Sequence, residues 1–192
     1  FDTVYDSKYL LVIRNGRIGE SPKRIAVCFV DITTNVVTLG LIVDDSNFTN
    51  FKTMIAQLRP VEVVFEDLEI EKDIKTILSS SLLSPTFSRL NDPKYWNPIN
   101  GRCEINTYCG QNQEKWPTAI KTLLEKLKTE DQELIFSVLA GFTGYLRTML
   151  IAEQLMGTAR FEIYDPESFE KRYMILDSQA LQHLEVLEVS YQ

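Results

Sequence analysis

The sequence predicts an α/β fold built on a mixed sheet, in which an antiparallel meander of three strands is followed by a helix and a parallel strand. The meander is indicated by three apolar segments between residues 9 and 43, with turn residues between them. After residue 44 the apolar side chains recur at helical spacing, and a further apolar segment follows Pro60. Because a helix that joins two strands of one sheet is normally a right-handed crossover, we expect the fourth strand to be parallel to its neighbour.

The three strands of the meander are defined by their composition and by their turns. They are predicted at residues 9–14, 24–32 and 36–43. The Asn-Gly dipeptide at 15–16 and the Thr-Thr-Asn segment at 33–35 are turn signals. The second strand is apolar nearly throughout, which is typical of a strand that is buried on both faces of a sheet.

Two helices flank the fourth strand, which is predicted at residues 61–65. Ser46 or Asn47 can serve as the N-cap of the first helix. The apolar stripe of this helix consists of Phe48, Phe51, Ile55 and Leu58. The second helix carries Glu69 and Glu71 in its first turn, where the helix dipole favours acidic side chains. Its apolar stripe consists of Ile70, Ile74, Ile77 and Leu78.

Residues 85–116 show no clear period, and we expect an irregular surface segment whose aromatic side chains anchor it to the core. The segment Thr-Glu-Asp-Gln at 129–132 fits a capping box and opens a long helix that runs to about Gly157. Gly141 and Gly144 inside this helix each cost about 1 kcal/mol relative to alanine. Such glycines are tolerated where another element packs closely on the helix backbone.

The C-terminal residues are predicted to lead away from the sheet. An alternating segment at 161–164 is typical of an edge strand. A polar connector follows, and then an extended segment at 173–176. Asp177 or Ser178 can cap a short closing helix at 179–187.

Composition and charge restrict the classes of function. The 192 residues include 20 basic and 27 acidic side chains, for a formal net charge of −7, and no cluster of Lys and Arg is present. We therefore expect little direct affinity for nucleic acid. No apolar run approaches the roughly 20 residues of a membrane-spanning helix. Because the sequence begins with Phe1 rather than Met, we expect it to be a piece of a longer protein.

The cysteines indicate a reducing, intracellular compartment. Cys28, Cys103 and Cys109 are an odd number, which does not suggest a disulfide framework. Cys103 and Cys109 lack the further ligands that a zinc site needs. Cys28 lies within an apolar strand, so we expect it to be part of the core.

Acidic residues at strand ends raise one alternative function, that of a metal-dependent nuclease. The predicted strand order is that with which the ribonuclease H-like fold begins, and the nucleases of that fold hold two metal ions with several carboxylates. The candidate ligands are Asp31, at the end of a central strand, and Glu66 and Asp67, after the fourth strand. The first helix supplies no acid, so this ligand set is incomplete. The simpler interpretation is that strand-end acids, including Asp44 and Asp45, cap helices and stay solvated.

Several stretches of the sequence resemble one known family. They are AVCFVDITTNVVTLGLIVDD at 26–45, FKTMIAQLRPVEVVFED at 51–67 and IKTILSSSL at 74–82. Together they resemble the connector domain of MutS-type DNA mismatch-repair proteins, and within that family the eukaryotic MutS homologue 6 branch. The KYWNP segment at 94–98 is similar to an aromatic loop of the family.

The end of the chain resembles the joint at which the connector of this family passes into the core or lever domain. The family pattern there is roughly L-D-x-x-T-x-x-N-L-E. The matching residues are Leu176, Asp177, Leu184 and Glu185. Ala180 and His183 depart from the pattern, which has Thr and Asn there, so the local hydrogen bonding at these positions does not follow from the resemblance.

The resemblance implies a ribonuclease H-like connector domain at residues 1–165, followed at 166–192 by a linker and the first helix of the core or lever domain. It implies a non-catalytic module without a cofactor that links mismatch binding to an ATPase in a longer nuclear protein. Other domains of that protein would bind ATP, magnesium and mismatched DNA. The implied partners are neighbouring domains, a MutS homologue 2-like subunit and MutL-type proteins, with no membrane. The alternative remains a nuclease that uses Asp31, Glu66 and Asp67.

Overall fold

A computed structural model of the chain describes residues 8–167, which form one six-stranded mixed sheet between two layers of helices. The strands are β1 (Tyr9–Asn15), β2 (Lys23–Asp31), β3 (Val36–Asp44), β4 (Glu62–Phe65), β5 (Thr86–Arg89) and β6 (Arg160–Ile163). They are arranged in the order β5-β4-β1-β2-β3-β6. The first three strands form an antiparallel meander, and β4 is parallel to β1. The predicted α/β class is therefore confirmed.

The helices lie on both faces of the sheet. They are α1 (Thr49–Leu58), α2 (Lys72–Ser81), α3 (Pro98–Cys109), α4 (Thr118–Glu125), α5 (Thr129–Thr148) and α6 (Ala152–Thr158). The apolar residues of α1 and α2 pack on one face, and those of α3 to α6 belong to the cluster on the other face. We refer to the edge at which β1 and β4 end as the upper edge, and to the edge at which they begin as the lower edge.

The second strand is buried on both faces, as its composition predicts. Val27 and Phe29 pack towards α1 and α2, whereas Ala26 and Cys28 pack towards α5. All four side chains are at most 2% exposed. Cys28 is therefore a core residue, as predicted, and its neighbours on both sides are apolar.

The prediction for residues 85–116 is wrong in part, because this segment contains β5, α3 and two short 3-10 helices. α3 has few apolar residues, and its buried positions are Gly101 and Ile105. It begins after Asn97, whose side chain accepts a hydrogen bond from the Ile99 N–H at 3.0 Å. The expected anchoring by aromatic residues is confirmed. Trp96 is 2% exposed and donates its indole N–H to the carbonyl oxygen of Leu90 at 2.7 Å.

The predicted long helix is also wrong in its length, because α5 ends at Thr148. Leu150 has a φ of 61°, and the N–H of Ile151 bonds the carbonyl oxygen of Leu146 at 3.0 Å. This is a Schellman motif, which normally has glycine at the left-handed position. Leucine at this position does not signal the end of a helix. The helical pattern of apolar residues in the sequence therefore continues past the end of α5. The predicted capping box is wrong too, since Lys128 is the N-cap and no side chain caps this helix.

Three glycines let the segment around α3 approach α5 closely. A Cβ atom on Gly141 would lie 2.3 Å from the Trp96 ring, and one on Gly144 would lie 2.8 Å from the Tyr95 ring. A Cβ atom on Gly101 would lie 1.9 Å from the backbone oxygen of Phe136 in α5. The close packing predicted for Gly141 and Gly144 is therefore confirmed.

Candidate functional site

The structure does not bring the three predicted metal ligands together. Asp31 lies opposite Tyr9 in the antiparallel pairing of β1 and β2, at the lower edge of the sheet. Glu66 and Asp67 follow β4 at the upper edge, where Glu66 contacts Arg14. Arg14 lies five residues along β1 from Tyr9, and at about 3.3 Å per residue this separates the two places by roughly 16 Å. Within residues 8–167 there is also no group of three His, Cys, Asp or Glu side chains that could hold a metal ion.

The nuclease interpretation fails because of strand direction. β2 is antiparallel to β1, so the carboxyl end of β2 lies at the edge opposite to that of β4. Acids that follow β1 and β4 would meet, but the residue near the end of β1 is Arg14. Its guanidinium lies 2.8 Å from the buried carboxylate of Glu66 and 5.2 Å from the centre of the Trp96 ring. A fixed positive charge at this place opposes the binding of a divalent cation.

Asp67 and Asp31 have partners within the protein. Lys75 lies 2.5 Å from the carboxylate of Asp67, and the hydrogen bond from Lys75 lowers the pKa of Asp67. The carboxylate of Asp31 accepts hydrogen bonds from the backbone N–H of Thr33 at 3.0 Å and from its hydroxyl at 2.6 Å. These bonds close the turn between β2 and β3.

Asp44 and Asp45 fix the start of α1, as the simpler interpretation predicts, but Asp44 is buried and not solvated as that interpretation expects. The N-cap of this helix is Phe48, with a φ of 56°, and not Ser46 or Asn47. The buried carboxylate of Asp44 accepts hydrogen bonds from the backbone N–H groups of Asn50 at 3.0 Å and Phe51 at 2.8 Å. Asp45 accepts a bond from the N–H of Thr49, and its hydrogen bonds with Thr49 lower its pKa. The two acids thus supply the hydrogen bonds that an N-cap side chain usually provides.

We expect Asp44→Ala to lower the free energy of unfolding by about 2 kcal/mol, because it leaves buried backbone N–H groups without acceptors. The measurement is urea denaturation followed by circular dichroism. Asp73→Ala is the matched control, because Asp73 is an exposed acid in the first turn of α2. Equal losses in the two variants would contradict the capping role of Asp44.

A groove of about 410 Å³ lies on the face of the sheet that carries α1 and α2, near the lower edge. Its lining includes Tyr9, Phe29, Asp31, Thr38, Glu162 and Tyr164. The Phe29 ring meets Tyr9 and Tyr164 edge to face, at centroid distances of 5.7 and 5.9 Å. Burial, together with the charge of Asp165, raises the pKa of Tyr164 to about 12. We call this site the sheet groove.

The sheet groove lies between the first and the last strand of the described chain. Tyr9 begins β1, and Tyr164 follows β6 directly. β6 is parallel to β3, and Tyr164 donates its N–H to the Leu39 oxygen at 2.8 Å. Tyr164 can approach β3 only because Gly40 has no side chain, since a Cβ atom there would lie 2.7 Å from the Cβ of Tyr164. The chain therefore enters and leaves the described fold beside one site.

The chemistry of the sheet groove suits contact with polypeptide. Among residues 8–167, those that line the groove supply aromatic rings, carboxylates and the guanidinium of Arg160, but no cysteine, histidine or lysine. Aromatic residues and arginine are enriched at protein interfaces relative to the rest of the protein surface. This site was not predicted from the sequence. Gly40 in the middle of an apolar strand was the available signal, since such a glycine often marks a close backbone approach.

The predicted interdomain joint lies outside the described residues. This applies to Leu176, Asp177, Leu184 and Glu185, so their role stays a prediction. The same holds for the predicted elements at 173–176 and 179–187. Among the helices of the described part, none combines the length and the apolar composition that crossing a membrane requires.

Comparison with known proteins reveals relatives that match nearly the whole chain. No family model matches the sequence. It is 29% identical over 210 residues to the DNA mismatch repair protein Msh6 of Gallus gallus, which aligns 95% of this chain with 16% of that protein. The Homo sapiens Msh6 is 29% identical over 213 residues, covering 94% of this chain and 15% of its own length. The Saccharomyces cerevisiae MSH6 is 24% identical over 172 residues, covering 88% and 13%.

The chain thus spans about one sixth of the length of the relatives from chicken and human. A plant relative, MSH6 of Arabidopsis thaliana, aligns at 26% identity with 96% of the chain. These similarities confirm the predicted resemblance: over nearly its whole length, the chain is similar to one segment of the MSH6 proteins of the MutS family.

Proposed function

We propose that this chain is a non-catalytic connector module of a DNA mismatch-repair protein, which links mismatch binding to an ATPase elsewhere in a longer polypeptide. The observation that carries the proposal is the coverage of the alignments. The relatives match 94–96% of this chain but only 15–16% of their own length, and each is named a DNA mismatch repair protein. The similarity is to one segment of a larger protein of this kind, which is what the proposal requires.

The geometry of the sheet groove supports a connecting role. A module can transmit a change only if its contacts differ between the two states of the whole protein. The groove borders both the entry strand β1 and the exit strand β6. A movement of the polypeptide on either side would therefore act on the same aromatic residues, Tyr9, Phe29 and Tyr164.

The acids support a role without catalysis in this segment. Glu66 and Asp67 are held in ion pairs, Asp31 closes a turn and Asp44 starts a helix. The proposal assigns ATP, magnesium and mismatched DNA to other domains of a nuclear protein. It also includes a MutS homologue 2-like subunit and MutL-type proteins as partners, together with neighbouring domains of the same chain.

The test uses the full-length protein that contains this segment. Thr38 is half-buried in the wall of the sheet groove, so Thr38→Arg places a long cation in it. We expect mismatch affinity to be retained and the stimulation of ATP hydrolysis by mismatched DNA to fall at least about fivefold. The exposed Arg160 offers a second variant, Arg160→Glu, which changes the charge of the groove without filling it.

Thr53→Arg is the matched control, because Thr53 is an exposed residue of α1 outside the groove. Its ATPase stimulation should equal that of the unmodified protein. Thermal unfolding of each variant separates loss of fold from loss of coupling. Folded groove variants with normal stimulation would refute the proposal.

A further inference from the structure

A second surface, in the helical layer on the other side of the sheet, holds an arginine over two fixed aromatic rings. The guanidinium carbon of Arg102, on α3, lies 4.5 Å from the centre of the Phe136 ring and 5.9 Å from that of Trp116. The two rings meet edge to face and are 3% and 4% exposed. The Trp116 indole N–H is bonded to Asn106 at 3.0 Å. The guanidinium therefore rests on a rigid platform to which it is attracted.

This arginine borders a notch of about 340 Å³. Lys121 and the buried side chain of Leu124 belong to the same lining. The Nζ of Lys121 donates to the backbone oxygen of Glu114 at 3.0 Å, which is a neutral acceptor. Among residues 8–167, neither Arg102 nor Lys121 forms an ion pair with a carboxylate. We call the site formed by Arg102, Lys121, Leu124 and Phe136 the Arg102 notch.

Another arginine that contacts α3, Arg147, has the carboxylate partner that Arg102 lacks. Arg147 reaches across from α5 to Glu104 on α3, and two of its nitrogens lie 2.6 Å from the two carboxylate oxygens. This is the forked geometry in which a guanidinium binds a carboxylate most strongly. Arg102 has the same donors, held in place by the rings, but no carboxylate from the described residues to receive them. Ile99, one turn earlier on α3, is 69% exposed and adds an apolar surface beside it.

We propose that the Arg102 notch binds an acidic side chain of a partner polypeptide, with an adjacent apolar side chain of that partner packed on Ile99. Charge favours a single carboxylate over nucleic acid. Glu114 and Glu125 also line the notch and oppose any anion, but a chain of phosphates would meet both of them, whereas one carboxylate needs only the fork of the Arg102 guanidinium. The net charge of −7 does not oppose one local carboxylate, because salt screens the more distant charges beyond about 8 Å. This binding site goes beyond the proposed function and uses none of the residues of the sheet groove.

The experiment is a titration of the ¹⁵N-labelled full chain, followed by nuclear magnetic resonance. The probe is the peptide acetyl-Gly-Glu-Leu-Glu-Leu-Gly-amide, and its counterpart has glutamine in place of glutamate. We expect the glutamate peptide to cause saturable shifts of the Arg102 Nε–H and the Trp116 indole N–H. Trp96 is the internal control, because its indole N–H is buried and bonded to Leu90 outside the notch. The glutamine peptide should leave all three signals unchanged.

Variants assign the binding to the notch. Arg102→Gln should raise the Kd of the glutamate peptide about tenfold, since a charge-assisted hydrogen bond is lost. Arg102→Lys keeps the charge but not the planar fork. Its Kd for the glutamate peptide should therefore lie between that of the unmodified chain and that of the Arg102→Gln variant. Arg59→Gln removes the same charge from an exposed arginine at the end of α1 and should leave the Kd unchanged.

Three results would overturn the proposal. One is that the glutamate and glutamine peptides bind with equal affinity, or that neither of them causes saturable shifts. Another is a folded Arg102→Gln variant that binds the glutamate peptide as tightly as the unmodified chain. The third is tighter binding of a single-stranded oligonucleotide than of the peptide at the same signals, which would mean that the notch takes phosphate.

Discussion

The Cys28→Asp variant is expected to be unfolded under conditions in which the unmodified chain is folded. Cys28 is 0% exposed in the middle of β2, between Val12 of β1 and Leu39 of β3. Burial already raises the pKa of its thiol. A carboxylate at this position would be buried without a partner, at a cost of several kcal/mol, which is comparable to the whole stability of a typical domain, about 5–15 kcal/mol. Circular dichroism and thermal unfolding measure the outcome.

Cys103→Asp is the control for this substitution. Cys103 is an exposed residue of α3, so the same chemical change there meets solvent. We expect its thermal midpoint to stay close to that of the unmodified chain. If Cys28→Asp unfolded cooperatively at that same temperature, β2 could not be buried on both faces as described.

The Gly101→Ala variant is expected to lower the free energy of unfolding by about 2 kcal/mol or more. The new Cβ atom would lie 1.9 Å from the backbone oxygen of Phe136, and a backbone atom cannot move aside as a flexible side chain can. Overpacking of this kind costs about 3 kcal/mol, and the better helix propensity of alanine returns about 1 kcal/mol. α3 must therefore move away from α5. Urea denaturation measures the loss.

Gly157→Ala separates the steric effect from helix propensity. Gly157 lies in α6, and a Cβ atom there meets nothing within 4 Å. Alanine should therefore leave the stability unchanged or raise it by up to about 1 kcal/mol. A Gly101→Ala variant that behaved like Gly157→Ala would show that α3 does not rest on the backbone of α5.

The sheet could be predicted from the sequence where its signal is local. The meander and β4 are short apolar segments with turn residues between them, and their bounds differ from the predicted ones by at most one residue. β5 and α3 could not be predicted in this way. β5 has no fully buried residue, and α3 packs through Gly101, so neither carries an apolar pattern. Their positions depend on tertiary contacts with β4 and α5.

The candidate site was predicted less well, because it depends on strand direction and on distant pairing. The residue type at Asp31 matched a catalytic role, but the antiparallel course of β2 takes it to the wrong edge of the sheet. The sheet groove exists because β6 returns to pair with β3, more than a hundred residues earlier in the chain. The three aromatic residues of the groove, Tyr9, Phe29 and Tyr164, come from three different strands or their ends. A local sequence pattern contains no information on which distant strands pair, so it does not predict a site assembled in this way.

The parallel directions of β1 and β6 have a mechanical consequence. β3 is parallel to β1 through two antiparallel steps, and β6 is parallel to β3. Lys8 precedes the start of β1 and Tyr164 follows the end of β6, so a pull on these two points has components of opposite sense along the strand axes, in addition to a component across the sheet. The bonds between strands lie across the strand axes, so the axial component loads them as shear. Tension between these two points would therefore act on several interstrand bonds together, and not only on the pairing of β6 with β3.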